Sequence, residues 1–103
     1  MKDGMIELDT NFAKKFGFTS DRYDGYLWKT GNTIIISMIM ARKQGVGFFR
    51  NLFDKIIENG YDVKVPTPLP LMTLILEHYK FKKGYEWDDF MKCDVEIWTK
   101  KAV

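Results

Sequence analysis

From residue 48 onward the apolar side chains fall at Phe49, Leu52, Phe53, Ile56 and Ile57, with Arg50, Asn51, Asp54, Lys55 and Glu58 between them. This i, i+3, i+4, i+7, i+8 spacing marks one face of an amphipathic helix, predicted over 48–59 and stopped by Gly60. Just upstream, Thr33-Ile34-Ile35-Ile36-Ser37-Met38-Ile39-Met40 is apolar almost without alternation. Such a run predicts a strand covered on both faces, hence the central strand of a sheet. A second strand candidate, 23–29, precedes it across Thr30-Gly31-Asn32, whose turn chemistry predicts a hairpin. Residues 61–65 read as a strand cut off by Pro66, Pro68 and Pro70, and a further helix is predicted over 70–79. A strand, a helix and a returning strand form a crossover unit, expected to be right-handed. A short strand at 5–8, a brief helix at 11–16 capped by Thr10, and a final pair of strands at 85–87 and 94–99 complete an α/β fold, a mixed sheet with antiparallel margins.

Composition narrows the function classes. The 103 residues suffice for one hydrophobic core and no second, so 1–103 is expected to be a single domain, with N-terminal strands in 1–32, a core in 33–83 and closing strands in 84–103. Hydrophobic residues at 46% and aromatics at 16% exclude a disordered chain. Sixteen basic residues against fourteen acidic ones leave a net charge of +2, short of the basic stripe that duplex binding needs, so no nucleic-acid partner is expected. Cys93 is the sole cysteine, and no apolar run is long enough for a membrane span. The expected location is therefore the cytoplasm. No metal-ligand spacing occurs.

Chemistry concentrates in Arg42-Lys43-Gln44-Gly45-Val46-Gly47, between the apolar strand and the amphipathic helix. The first N–H groups of a helix lack intrahelical partners and, with the helix dipole, attract anions. Glycines at 45 and 47 let a phosphate approach those donors, and Arg42 and Lys43 add positive charge. The bland alternative is a tight turn beside solvated basic residues. A third glycine, as in the dinucleotide fingerprint, and a Gly-Lys-Ser/Thr ending, as in a P-loop, are both missing, which disfavours hydride transfer and nucleotide hydrolysis.

Arg42, Gly45 and Gly47 match the Arg/Gln-x-x-Gly-x-Gly/Ala motif of the GCN5-related N-acetyltransferases, which this chain resembles over 33–83. The stretch Leu76-Glu77-His78-Tyr79-Lys80-Phe81 is similar to the family's closing Tyr-x-x-x-Gly-Phe. The resemblance implies a compact acetyltransferase-like fold, with the pyrophosphate of acetyl-coenzyme A on the loop 42–47 and its pantetheine arm along the backbone of Ile36, Ser37, Met38 and Met40. It implies transfer of an acetyl group to an amine, whether on a protein or a small molecule, by direct attack. The small size is similar to that of acetyltransferase-like proteins encoded by bacteriophages.

The chain departs from the family pattern at informative places. Leu76 stands where the family carries the tyrosine that protonates the departing thiolate, Lys80 replaces a glycine, Leu69 replaces an asparagine, and the apolar strand offers no glutamate base. Tyr79, three positions on, is the candidate replacement acid, against the alternative of a packed ring. His78 reads as a surface residue before a base, Cys93 as a small buried residue before a nucleophile, and Trp28, Trp87 and Trp98 as core or pocket walls. Without a base, a lysine amine of pKa near 10.4 costs about 4 to 5 kcal/mol to neutralise at pH 7, an α-amine only about 1, so weakly basic acceptors suit the site. The competing expectation is a non-catalytic interaction protein on the same fold, as a homodimer or a subunit of an assembly.

Overall fold

The structure, a computed structural model, describes residues 3–43 and 47–102, apart from the side chain of Met38. In chain order the elements are β1 (Gly4–Ile6), α1 (Asn11–Lys14), β2 (Tyr23–Thr30), β3 (Thr33–Ala41), α2 (Phe48–Glu58), β4 (Asp62–Pro66), α3 (Pro70–His78), β5 (Lys82–Asp88) and β6 (Cys93–Lys100). The strands form one sheet in the order β1-β2-β3-β4-β6-β5. Only β3 and β4 run parallel, as the α2 crossover between them requires; every other neighbouring pair is antiparallel. The mixed sheet with antiparallel margins is therefore the architecture of the chain. Among the described residues, no helix is long and apolar enough to cross a membrane.

All three helices supply one core. Ala13 of α1, Leu52, Phe53 and Ile56 of α2 and Leu76 of α3 are buried in a single cluster with Ile6, Leu27, Ile34, Ile36, Val63, Val65 and Trp98 of the strands. Fully burying a side chain of this size contributes about 1.5 to 3 kcal/mol. The amphipathic reading of α2 holds in detail: Leu52, Phe53 and Ile56 are buried, Phe49 and Ile57 half-buried against the same cluster.

Two expectations are corrected here. The apolar run of β3 does not have both faces covered, for the opposite face carries the cross-strand row Met5, Trp28, Ile35 and Lys64, in which Met5 and Trp28 are exposed. The lack of alternation has another cause. Tyr26 opposes Met38 while Leu27 opposes Ile36, leaving Ser37 as an extra residue in β3. Such a bulge reverses the two-residue parity, so Ile34 and Ile36 face the core before it and Ile39 and Ala41 share that face after it. The aromatic and sulfur residues are also redistributed. Trp98 is buried as expected, but Trp87 is 61% exposed and Cys93 is exposed, because β5 and the start of β6 extend beyond the helices.

Candidate functional site

The parting of β3 from β4 creates the site. Their ladder contains Thr33↔Asp62, Ile34↔Val63 and Ile35↔Lys64, whereas on its other side β3 stays paired with β2 as far as Ala41. From Ile36 onward the β4-facing edge of β3 has no strand pairing among the described residues. A groove of about 730 Å³ opens there, between the end of β3, the start of α2 and the length of α3. That volume is in the range of small-molecule and cofactor sites.

Its floor is Ile39, Met40 and Ala41, its α2 wall is Phe48, Phe49 and Arg50, and its α3 wall includes Leu69, Leu71, Met72, Leu74, Ile75, His78 and Tyr79. Leu69, Leu71 and Leu74 are exposed apolar residues, a cost that a wall able to cover an apolar ligand would recover. The α2 start suits a negative charge. Its N-cap, Gly47, has φ +80°, a left-handed conformation that glycine adopts without strain, and makes no side-chain cap. No acidic residue occupies the first turn, and Lys43 and Arg50 line the same end of the groove. Arg50 also approaches Asp54 at 3.9 Å on the solvent side.

Tyr23 fixes this end. It is fully buried among Phe18, Phe48 and Phe49, and its O–H donates to the Phe48 carbonyl in the first turn of α2. Burial pushes its phenol up to about 12, since the phenolate would lose its hydration.

The residues singled out from the sequence are distributed unevenly. Met40, Lys43, Gly47 and Tyr79 converge on the groove. Arg42 does not line it: its guanidinium pairs with Asp24 Oδ1 at 2.7 Å, and its N–H donates to the Arg22 carbonyl. Ser37 is the exposed bulge residue and Ile36 is core, so only their backbone borders the open edge of β3. Gln44, Gly45 and Val46, and the side chain of Met38, lie outside the described residues. Leu76 is fully buried, facing the core. Tyr79 caps the end of α3, its ring edge-on to Phe53 at 6.2 Å, while Lys100 Nζ donates to its carbonyl at 3.0 Å. Its neighbour His78 is exposed, as expected of a surface residue. Among the described residues, no group of three or more His, Cys, Asp or Glu could hold a metal ion. The sequence reading missed the leucine wall of α3, whose signal was an apolar run, Leu71-Met72-Thr73-Leu74-Ile75-Leu76, that spreads around the helix too widely for one buried face.

In comparisons with known proteins, no family model, curated protein or solved structure matches the chain.

Proposed function

We propose that this chain is an acetyltransferase-like protein that binds acetyl-coenzyme A in the groove beside β3 and transfers the acetyl group to an amine. The observation that carries the reading is the parting of β3 from β4, which leaves strand backbone free to hydrogen-bond an extended amide-bearing arm next to an uncapped helix start. A ligand with a diphosphate at one end and a pantetheine chain behind it matches both features. The Phe48 and Phe49 N–H groups with Lys43 and Arg50 would meet the diphosphate, and the β3 edge from Ile36 to Met40 the pantetheine amides.

Chemically, the neutral amine attacks the thioester carbonyl carbon, the carbon–sulfur bond breaks, and the departing sulfur takes a proton from the Tyr79 hydroxyl. The amine's surplus proton goes to solvent, and solvent returns a proton to the Tyr79 phenolate. Positioning in the groove supplies most of the acceleration in such a site, and well-oriented reactants gain up to about 7 to 11 kcal/mol. Loss of a general acid costs about 10²- to 10⁴-fold. The burial of Leu76, which leaves no hydroxyl on the neighbouring turn, favours a second reading in which the groove binds the thioester without chemistry.

Thermal unfolding with coenzyme A tests the binding. At a hundred times its dissociation constant a ligand stabilises by about 2.7 kcal/mol, which raises Tm on the order of 10 to 20 °C for a domain of this size. An unchanged Tm at millimolar coenzyme A rejects both readings. Tyr79→Phe separates them: it should keep the thermal shift and lower acetyl transfer at least tenfold. A parent protein that binds but transfers to no amine offered selects the second.

A further inference from the structure

Beyond the groove, the longest strand edge without a partner among the described residues is the outer edge of β5. This strand ends the sheet, and its ladder to β6 is continuous from Lys82↔Thr99 to Asp88↔Cys93. The opposite end of the sheet is only the three residues of β1. Edge strands are usually protected by proline, a bulge, shortness or charged side chains, because free N–H and C=O groups invite pairing, and charge protects only against a partner whose own charges do not match. β5 has seven residues, Lys-Lys-Gly-Tyr-Glu-Trp-Asp, with no proline and a regular register. Tyr85 and Trp87 project from one face, 66% and 61% exposed, and Phe90 at the adjoining turn is 95% exposed.

The charges along this edge run from basic to acidic, and that order is self-complementary in one arrangement. Antiparallel pairing of β5 with a second β5 about a two-fold axis at Tyr85 sets Lys82 opposite Asp88, Lys83 opposite Trp87, and Gly84 opposite Glu86. All seven residues overlap, two opposite-charge pairs form, and Lys83, already paired with Glu96 of its own chain, stands beside the Trp87 indole of the other copy. Shifting the axis to Gly84 or Glu86 leaves only five residues overlapping. The first shift sets Lys82 opposite Glu86, already paired with Lys64, and the second sets no cation opposite a carboxylate. A two-fold contact also consumes both edges at once, so association stops at two chains.

We propose that β5 is a homodimerisation edge, joining two copies through antiparallel β5–β5 pairing centred on Tyr85. The proposal is independent of the groove. Sedimentation equilibrium of the full chain between 1 and 300 μM, at low salt, should give a mass rising to about twice 12.1 kDa. Lys82→Glu places like charges opposite each other twice by symmetry and should raise the dimer dissociation constant at least tenfold. Adding Asp88→Asn removes that repulsion while retaining a side-chain carbonyl for the Phe90 and Met91 N–H groups that Asp88 now accepts from, and should recover most of the loss. Trp87→Ser should weaken the dimer without altering circular dichroism. A chain that stays at the monomer mass throughout overturns the proposal, as does a dimer indifferent to both Lys82→Glu and Trp87→Ser.

Discussion

Replacing Tyr23 by phenylalanine removes one hydroxyl from the core, and its effect should change sign with pH. The ring contacts with Phe18, Phe48 and Phe49 persist, and the Phe48 carbonyl keeps the helical partner that position 52 supplies. At pH 8 the variant therefore loses the net worth of one buried hydrogen bond, about 0.5 to 1.5 kcal/mol. In the unfolded chain the phenol ionises near its ordinary value of 10.0, whereas in the folded chain burial holds it to about 12. The folded state thus keeps a proton that the unfolded state releases. Stability from this difference is complete below pH 10 and is lost as pH rises toward 12, at about 1.4 kcal/mol per unit. By pH 11 the loss is about 1.4 kcal/mol, enough to cancel the hydroxyl's advantage, and nearer pH 12 the phenylalanine variant should be the more stable protein. Urea unfolding of both proteins at pH 8, 10 and 11 isolates the effect, because every other titrating group is common to the two. Stability curves that run parallel from pH 8 to 11 would refute the account of Tyr23 as a buried, proton-retaining phenol.

Other perturbations separate the site from the core. Gly47→Asp should lower coenzyme-A affinity at least tenfold by calorimetry, because a carboxylate would stand at the anion-facing start of α2; among the described residues no atom lies within 4 Å of the added Cβ, and the positive φ adds a strain of about 1 kcal/mol. Phe53→Ala, at a ring packed on Phe49, Tyr79 and Phe81, should cost about 3 to 5 kcal/mol in urea unfolding and loosen the Tyr79 wall with it.

Local pattern in the sequence revealed the elements, while features that depend on distant pairing stayed hidden. The 3.6-residue spacing of α2, the turn at Gly31 and the prolines around α3 each carry their signal within a few residues, and each appears where expected. β5 begins at Lys82 instead of residue 85 because pairing with β6, not apolar alternation, defines it. The bulge at Ser37 was invisible since apolar residues on both sides of it erase the parity that would betray a missed step. Trp28 and Trp87 carry the composition of core residues; Trp28 lies on the sheet face that the helices leave bare, whereas Trp87 shares the face of buried Trp98 but sits on the part of β5 that extends beyond the helices. In the candidate site, Lys43, Gly47 and Tyr79 were legible from their place beside strand and helix ends. The diversion of Arg42 to Asp24 was not, because that partner lies eighteen residues away on β2.

The extra residue at Ser37 divides β3 into two stretches that answer to different selective pressures. Ile34 and Ile36 are sealed in the cluster, so a change there is registered as lost folding free energy. Ile39 and Ala41, past the irregularity, form the groove floor, where a change in size alters which molecule fits while removing less buried packing. One strand can thus hold its fold constant while its ligand preference drifts, and variation among descendants of this chain should concentrate on the far side of residue 37.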